Sequence, residues 1–269
     1  MGARNWQDKI ALITGASSGI GAATARRLAE EGLRVLLVAR RRDRLEALAE
    51  EIRQAGGHAY PLPADLTQEV ERSRLCEEIE QRFGDVDVLV NNAGLGWYGY
   101  GSEMSWQTAR EMLQVNGETV VQLTLRFLGR MRQRNSGHII NVGSISGSIP
   151  SQGIAVYGAT KSFLDNFTTA LYRELAGTNV CVSVVRAGAV RTEFGEAALR
   201  QENGGHVPTE QVGVSADTVA WRIWRLLQHP RRVVYVPGWL RVVPWVELTF
   251  GWLIDRIGPL LLKRQAVGS

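Results

Sequence analysis

Short apolar runs alternate with longer amphipathic stretches along most of the chain. Ile10-Ala11-Leu12-Ile13 predicts a strand, followed by a Gly-rich turn and a helix from about 19 to 31. Residues 34–39, with Val-Leu-Leu-Val at their centre, predict the next strand, and 42–54 a helix closed by Gly56-Gly57. A weaker strand follows at 58–62, a helix at 68–82 and a strand at 86–90. Two long helical patterns near 103–115 and 116–134 lead to a strand at 138–142, a helix at 155–175 and a strand at 180–185. A helix at 216–228 and a strand at 232–236 complete the series. Nearly continuous apolar strands separated by helices need cover on both faces, so the pattern predicts an α/β fold with a parallel sheet of about seven strands between two helical layers. Right-handed crossovers make that sheet doubly wound, with a ligand crevice at the carboxyl ends of its strands. Neither a repeat nor a linker interrupts the alternation, and 1–269 reads as a single domain.

Composition narrows the function classes. With 269 residues, 45% hydrophobic and 22% charged, the chain can build a large core, and disorder, collagen and coiled coil are excluded. The formal charge of +4 is almost entirely arginine, since Lys9, Lys161 and Lys263 are the only lysines. The densest basic run, Arg40 to Arg44, is interrupted by Asp43 and too short for a nucleic-acid arm, so no nucleic acid is expected as a partner. Cys76 and Cys181 stand far apart, and His58, His138, His206 and His229 are scattered; neither a disulfide framework nor a metal site is expected. Residues 1–9 hold no apolar signal core, which makes the cytoplasm the expected location.

Two motifs carry chemistry. After the first strand, Thr14-Gly15-Ala16-Ser17-Ser18-Gly19-Ile20-Gly21 opens a helix. Glycines there let the backbone turn tightly and approach a pyrophosphate, whose charge helix N-terminal amides favour. The spacing is G-x-x-x-G-x-G, and a plain strand-to-helix turn stands as the alternative. Further on, Tyr157 and Lys161 lie four residues apart, which on a helix puts phenol and ammonium on one face. With so few lysines, a chance pair at this spacing is rare.

Taken with Asp65, Asn91-Asn92-Ala93-Gly94, Asn116 and Ser144, which stands 13 residues before Tyr157, these motifs identify the chain as similar to the short-chain dehydrogenase/reductases over roughly residues 8 to 236. The resemblance implies a Rossmann fold and hydride transfer between a nicotinamide and a carbonyl or alcohol, with Tyr157 as general acid/base. Lys161 would hold the nicotinamide ribose and acidify Tyr157. Moving a phenol from about 10 to neutrality takes roughly 4 kcal/mol, about what one ammonium ~4 Å away supplies at an effective dielectric near 20. Ser144 would hold the substrate oxygen, its alternative being a solvated loop serine. Asn116 would bend its helix and anchor a water relaying protons to Lys161, or merely separate two helices. A binding protein of the same fold that senses NADP(H) without turnover is the competing function, and the complete Asn116/Ser144/Tyr157/Lys161 set argues against it.

The cofactor site implied by the resemblance comprises Gly15, Ser17, Ser18, Gly19, Ile20 and Gly21, then Asp65 with Leu66 for the adenine. Asn92, Ala93 and Gly94 follow, with Tyr157, Lys161, Gly188, Val190 and Thr192 at the nicotinamide. Arg40 stands where NAD-selective members carry Asp and Arg41 follows it; arginine suits a 2′-phosphate, so NADP(H) is expected over NAD(H). Asp65 has a helix N-cap as its rival role. The family's Pro-Gly after the sixth strand is here Ala187-Gly188, which predicts a looser turn.

Large apolar residues, Leu95, Trp97, Tyr98, Tyr100, Ile145, Ile149 and Phe194, fall near the expected mouth and suit a hydrophobic carbonyl or alcohol, or else form core or subunit contacts. Residues 193–212 read as a lid. The extension at 237–263, with Trp239, Trp245 and Trp252, is too interrupted by charge to span a membrane. It would cover the pocket or a subunit neighbour, lie in a membrane surface, or be disordered. By resemblance the helices at 116–134 and 155–175 would pair subunits into a homodimer or homotetramer.

Overall fold

The computed structural model describes residues 5–199, 204 and 213–261. Along them run β1 (Ile10–Thr14), α1 (Gly19–Glu30), β2 (Arg34–Ala39), α2 (Arg42–Gln54), β3 (His58–Pro63), α3 (Glu69–Arg82) and β4 (Val88–Asn91). Next come α4 (Trp106–Leu113), a π-helical turn (Gln114–Glu118), α5 (Thr119–Gln133), β5 (Gly137–Ser144), α6 (Ala155–Glu174) and β6 (Val180–Ala187). The chain continues through β7 (Val190–Arg191), α7 (Phe194–Leu199), β8 (Val214–Ser215), α8 (Ala216–Gln228), β9 (Val233–Val236) and α9 (Val243–Leu261).

Seven strands form one parallel sheet in the order β3-β2-β1-β4-β5-β6-β9, while β7 and β8 pair separately. The unbroken apolar strands serve two cores at once, because successive side chains point to opposite faces. In β1, Ala11 and Ile13 join α1, α2 and α8 in one core, whereas Ile10 and Leu12 join α3, α5 and α6 in the other. Each strand therefore needs apolar residues at every position, and helices on both sides follow from that demand. The order reverses between β1 and β4, so a crevice opens at their carboxyl ends, beside Gly15 and Asn92.

Several boundaries differ from the sequence pattern. β5 and β6 run on to Ser144 and Ala187, whose Cα positions pair across the sheet. The turn after β6 is not loose despite Ala187. Gly188 N–H donates to Val236 O at 2.8 Å, Val214 N–H donates to Ala189 O at 3.0 Å, and buried Leu240 packs beneath Gly188. Of the expected lid, 194–199 form α7, and 200–203 and 205–212 lie outside the described residues. The C-terminal extension is helical over α9, which turns Trp245, Leu248 and Trp252 outward at 70%, 78% and 67% exposure.

Candidate active site

The site begins where β1 ends. Gly15 (φ +67°) and Gly19 (φ +54°) take backbone conformations that favour glycine, which turns the loop back into α1. Ser18 precedes α1 without a side-chain cap, and no acidic residue occupies the first turn, so its amides face the crevice without a local anion. Thr14 and Asn92 tie this loop to β4. Thr14 Oγ1 accepts from the amides of Asn92 and Ala93, both at 3.0 Å, and Asn92 Nδ2 donates to Thr14 O at 2.9 Å and Gly15 O at 3.3 Å. Gly21 lies outside the cavity lining, pressed against Gly15 O, where a side chain has no room.

The other end is set by β5 and α6. Ser144 closes β5; its hydroxyl accepts from Ser146 N at 3.1 Å and lies near enough to Tyr157 to draw the phenol's pKa down. Lys161, one turn beyond Tyr157, is buried and donates to Val142 O at 3.0 Å. Asn116 sits in the π turn with its side chain fully used: Oδ1 accepts from Leu95 N at 2.8 Å, and Nδ2 donates to Leu95 O at 2.9 Å and Thr160 Oγ1 at 3.1 Å. It thus bridges the β4 loop to α6 behind Gly94, where an added Cβ would lie 3.4 Å from Asn116 Oδ1 and 3.7 Å from Lys161 Nζ.

Burial governs the electrostatics here. It pushes the Tyr157 phenol up from its ordinary pKa, with the Ser144 hydrogen bond opposing it. It also pushes Lys161 down to about 8, with Asp165 opposing. From the Tyr157/Lys161 resemblance, the lysine was expected to acidify the phenol. Its ammonium lies 5.7 Å from the Tyr157 ring centroid, and burial rather than any pairing between the two groups dominates the shift of each. Beneath Lys161 lies a pair that the sequence did not announce. Asp165 Oδ2 is 3.1 Å from Arg186 Nε, at ion-pair distance though off the hydrogen-bonding direction, and Arg186 donates in turn to Tyr235 at 2.5 Å.

One cavity of about 840 Å³ joins the two ends. Of the residues expected from sequence it is lined by Gly15, Ser17, Ser18, Gly19, Ile20, Arg40, Arg41, Asp65, Leu66, Asn92, Ala93, Gly94, Ser144, Tyr157, Lys161, Gly188, Val190 and Thr192. Asp65 is not the cap of α3, which starts four residues later; its Oδ1 accepts from Thr67 N and Oγ1. Leu95, Trp97, Ile145 and Phe194 line the far end, as do Glu111, Val115, Ile154 and Ala198, which the pattern did not single out, whereas Tyr98, Tyr100 and Ile149 are not in the lining. None of the described residues of α9 lines it. A phosphate-receiving helix start, a glycine-walled middle and a hydroxyl-ammonium end in one cavity fit a dinucleotide.

A sequence profile of the short chain dehydrogenases matches residues 9–203. The chain belongs to the short-chain dehydrogenase/reductase family. Among its relatives is the NADP-dependent 3-hydroxy acid dehydrogenase YdfG of Shigella flexneri, 33% identical over 231 residues, which make up 83% of this chain and 91% of that one. Among solved structures, a short-chain dehydrogenase from Sphingobium yanoikuyae in complex with NADPH superimposes with a TM-score of 0.80 at 29% identity, covering 97% of this chain and 98% of the other. A serine dehydrogenase in its closed form with NADP+ gives 0.77 at 32% identity, covering 84% and 93%. Membership of this family makes the chain an oxidoreductase of the nicotinamide-dependent kind.

Proposed function

We propose that this protein reduces an uncharged, hydrophobic ketone or aldehyde with NADPH, and runs the reverse oxidation with NADP+. The observation that carries the reading is the single cavity running from the α1 N-terminus to Ser144, Tyr157 and Lys161. The phosphates would lie on the amides after Gly15 and the ribose against Lys161. Arg41 suits the 2′-phosphate better than Arg40, because its fork already donates to Ser17 and Ser18 within the lining. Bound there, the cofactor would supply the hydride. Ser144 holds the carbonyl oxygen against Tyr157, and the phenol, which its burial keeps protonated, gives its proton to that oxygen. Asn116 keeps the β4 loop and α6 in register around Lys161.

Substrate class follows from the far end of the cavity. Leu95, Trp97, Ile145, Ile154 and Phe194 are apolar, and Glu111 is the charged residue there. Apart from Lys161, no described cation at that end would pair with a carboxylate, which separates this pocket from the hydroxy-acid activity in its relative's name. The test is NADPH oxidation over a panel of neutral and carboxylated carbonyls. Neutral hydrophobic ones should be consumed, and Tyr157→Phe should lower kcat by about a thousandfold while NADPH still binds. Turnover surviving in that variant, or confined to keto acids, refutes the reading.

Two surfaces complete the proposal. A second copy pairs through α5 and α6, where Leu125, Phe163 and Tyr172 are exposed. The outward face of α9 rests on a membrane surface of a cytoplasmic protein; no described helix is long and apolar enough to cross one.

A further inference from the structure

Three consecutive residues after β7 each touch a different part of the cavity. Thr192 lies against Gly19, where an added Cβ would come within 2.9 Å of its methyl group. Glu193 receives Arg44 Nη1 at 2.6 and 2.7 Å and Arg41 Nη1 at 3.1 Å. Phe194 packs its ring 5.7 Å from that of Tyr157 and walls off Gly96. One strap therefore has a foot on the phosphate loop, one on the arginines and one on the catalytic phenol.

The middle foot is placed where a second anion is expected. Arg41 offers its guanidinium at once to Ser17 Oγ, Ser18 Oγ and Glu193, and all four residues line the cavity. Arg44, followed by Arg41, holds the Glu193 carboxyl below its ordinary pKa, against the opposing effect of desolvation. The carboxylate is charged at neutral pH. A 2′-phosphate carries a larger negative charge and three acceptor oxygens. It would compete with Glu193 for Arg41, the one of the two arginines that lines the cavity, and, if both anions stayed, repel Glu193 from Arg44 as well.

We propose that Glu193 is an internal stand-in for the 2′-phosphate of NADP(H), so that the arriving phosphate displaces it and lifts the Phe194 strap from Tyr157. Selectivity for the phosphorylated cofactor then resides partly in access to the phenol, since NAD(H) leaves the strap latched. The latch is weak by design of its surroundings: Glu193 and both arginines are more than a third exposed, and an exposed ion pair is worth a few-fold in population. This inference rests on the NADP reading above.

Linkage supplies the test, because the factor by which the latch weakens phosphate binding is the factor by which phosphate opens the latch. The probes are 2′,5′-ADP and 5′-AMP, which share the adenosine end and differ in the 2′-phosphate, measured by calorimetry on the full chain. Glu193→Gln should tighten 2′,5′-ADP about fivefold and leave 5′-AMP unchanged. In the unaltered protein, saturating 2′,5′-ADP should speed backbone hydrogen exchange in peptides covering 192–199 by a similar factor, and 5′-AMP should not. In Glu193→Gln the exchange should already be fast without ligand. Unchanged or weaker 2′,5′-ADP binding by the variant, or exchange indifferent to 2′,5′-ADP, overturns the latch while leaving the cofactor reading intact. If the unaltered protein binds 2′,5′-ADP no tighter than 5′-AMP, the cofactor reading itself fails and takes the latch with it.

Discussion

Lys161 holds its proton only up to about pH 8 because burial removes the water that would stabilise the ammonium, and Asp165 returns part of that loss. The unfolded chain binds this proton more tightly, so between about 8 and the ordinary 10.5 this group makes folding stability rise with pH, and below 8 its cost is constant. Catalysis has the opposite slope. Carbonyl reduction needs the charged lysine beside a protonated phenol, so kcat/KM for reduction should fall as pH rises through about 8. Asp165→Asn removes the group that pushes Lys161 up and leaves the Arg186 guanidinium without its carboxylate. The alkaline limb should move to lower pH, with activity on that limb dropping about tenfold per unit moved. Unaltered profiles in the two proteins would show that Asp165 serves packing alone. The Tyr157/Lys161 spacing made the pair legible in the sequence; its charge balance was not, because Asp165 and Arg186 lie on different elements and meet only in the folded sheet.

At the scale of elements, the π turn at 114–118 is the join on which the site's geometry depends. The hydrophobic pattern predicted two helices meeting at Asn116, and the resemblance gave Asn116 a bend, but periodicity carries no sign of a single wider turn. The partners that stabilise the turn, Leu95 backbone and Thr160 Oγ1, are distant in sequence and bear no pattern of their own. Asn141 is hidden for the same reason: it lies inside a strand that reads as apolar, and its Oδ1 accepts from Asn91 Nδ2 at 2.8 Å, joining β4 to β5, whereas Asn91 is legible only as part of the Asn-Asn-Ala-Gly motif. Strands, helices and the glycine loop were legible because each is set by local periodicity or backbone freedom. Asn116→Ala should take the side-chain partner from the amide and carbonyl of half-buried Leu95 and from Thr160 Oγ1, and cost about 2 kcal/mol of stability by urea denaturation. Turnover should fall further than that loss accounts for, since α6 and the β4 loop lose their shared anchor. A variant as stable as the parent would mean that water replaces the amide.

For the whole molecule, α9 presents the largest run of exposed apolar side chains among the described residues. Its stripe of Trp245, Leu248 and Trp252 repeats at three and seven residues, the spacing of one helical face, and stands away from the core. Tryptophan suits a boundary with one apolar and one wet side, and the charges along the segment, Arg241, Glu247, Asp255 and Arg256, balance. A bilayer surface meets that requirement. The chain should therefore sediment with phosphatidylcholine vesicles, and that binding should survive high salt, since apolar side chains carry it. The substitution to use is Trp245→Ser with Leu248→Ser and Trp252→Ser. A deletion from 238 would also take away Leu240, which fills the space under Gly188 and would disturb the nicotinamide end of the cavity. The triple variant should lose vesicle binding and keep NADPH affinity. If it instead changes the mass measured by light scattering, with vesicle binding never seen in the parent, the face belongs to another subunit and the membrane assignment falls.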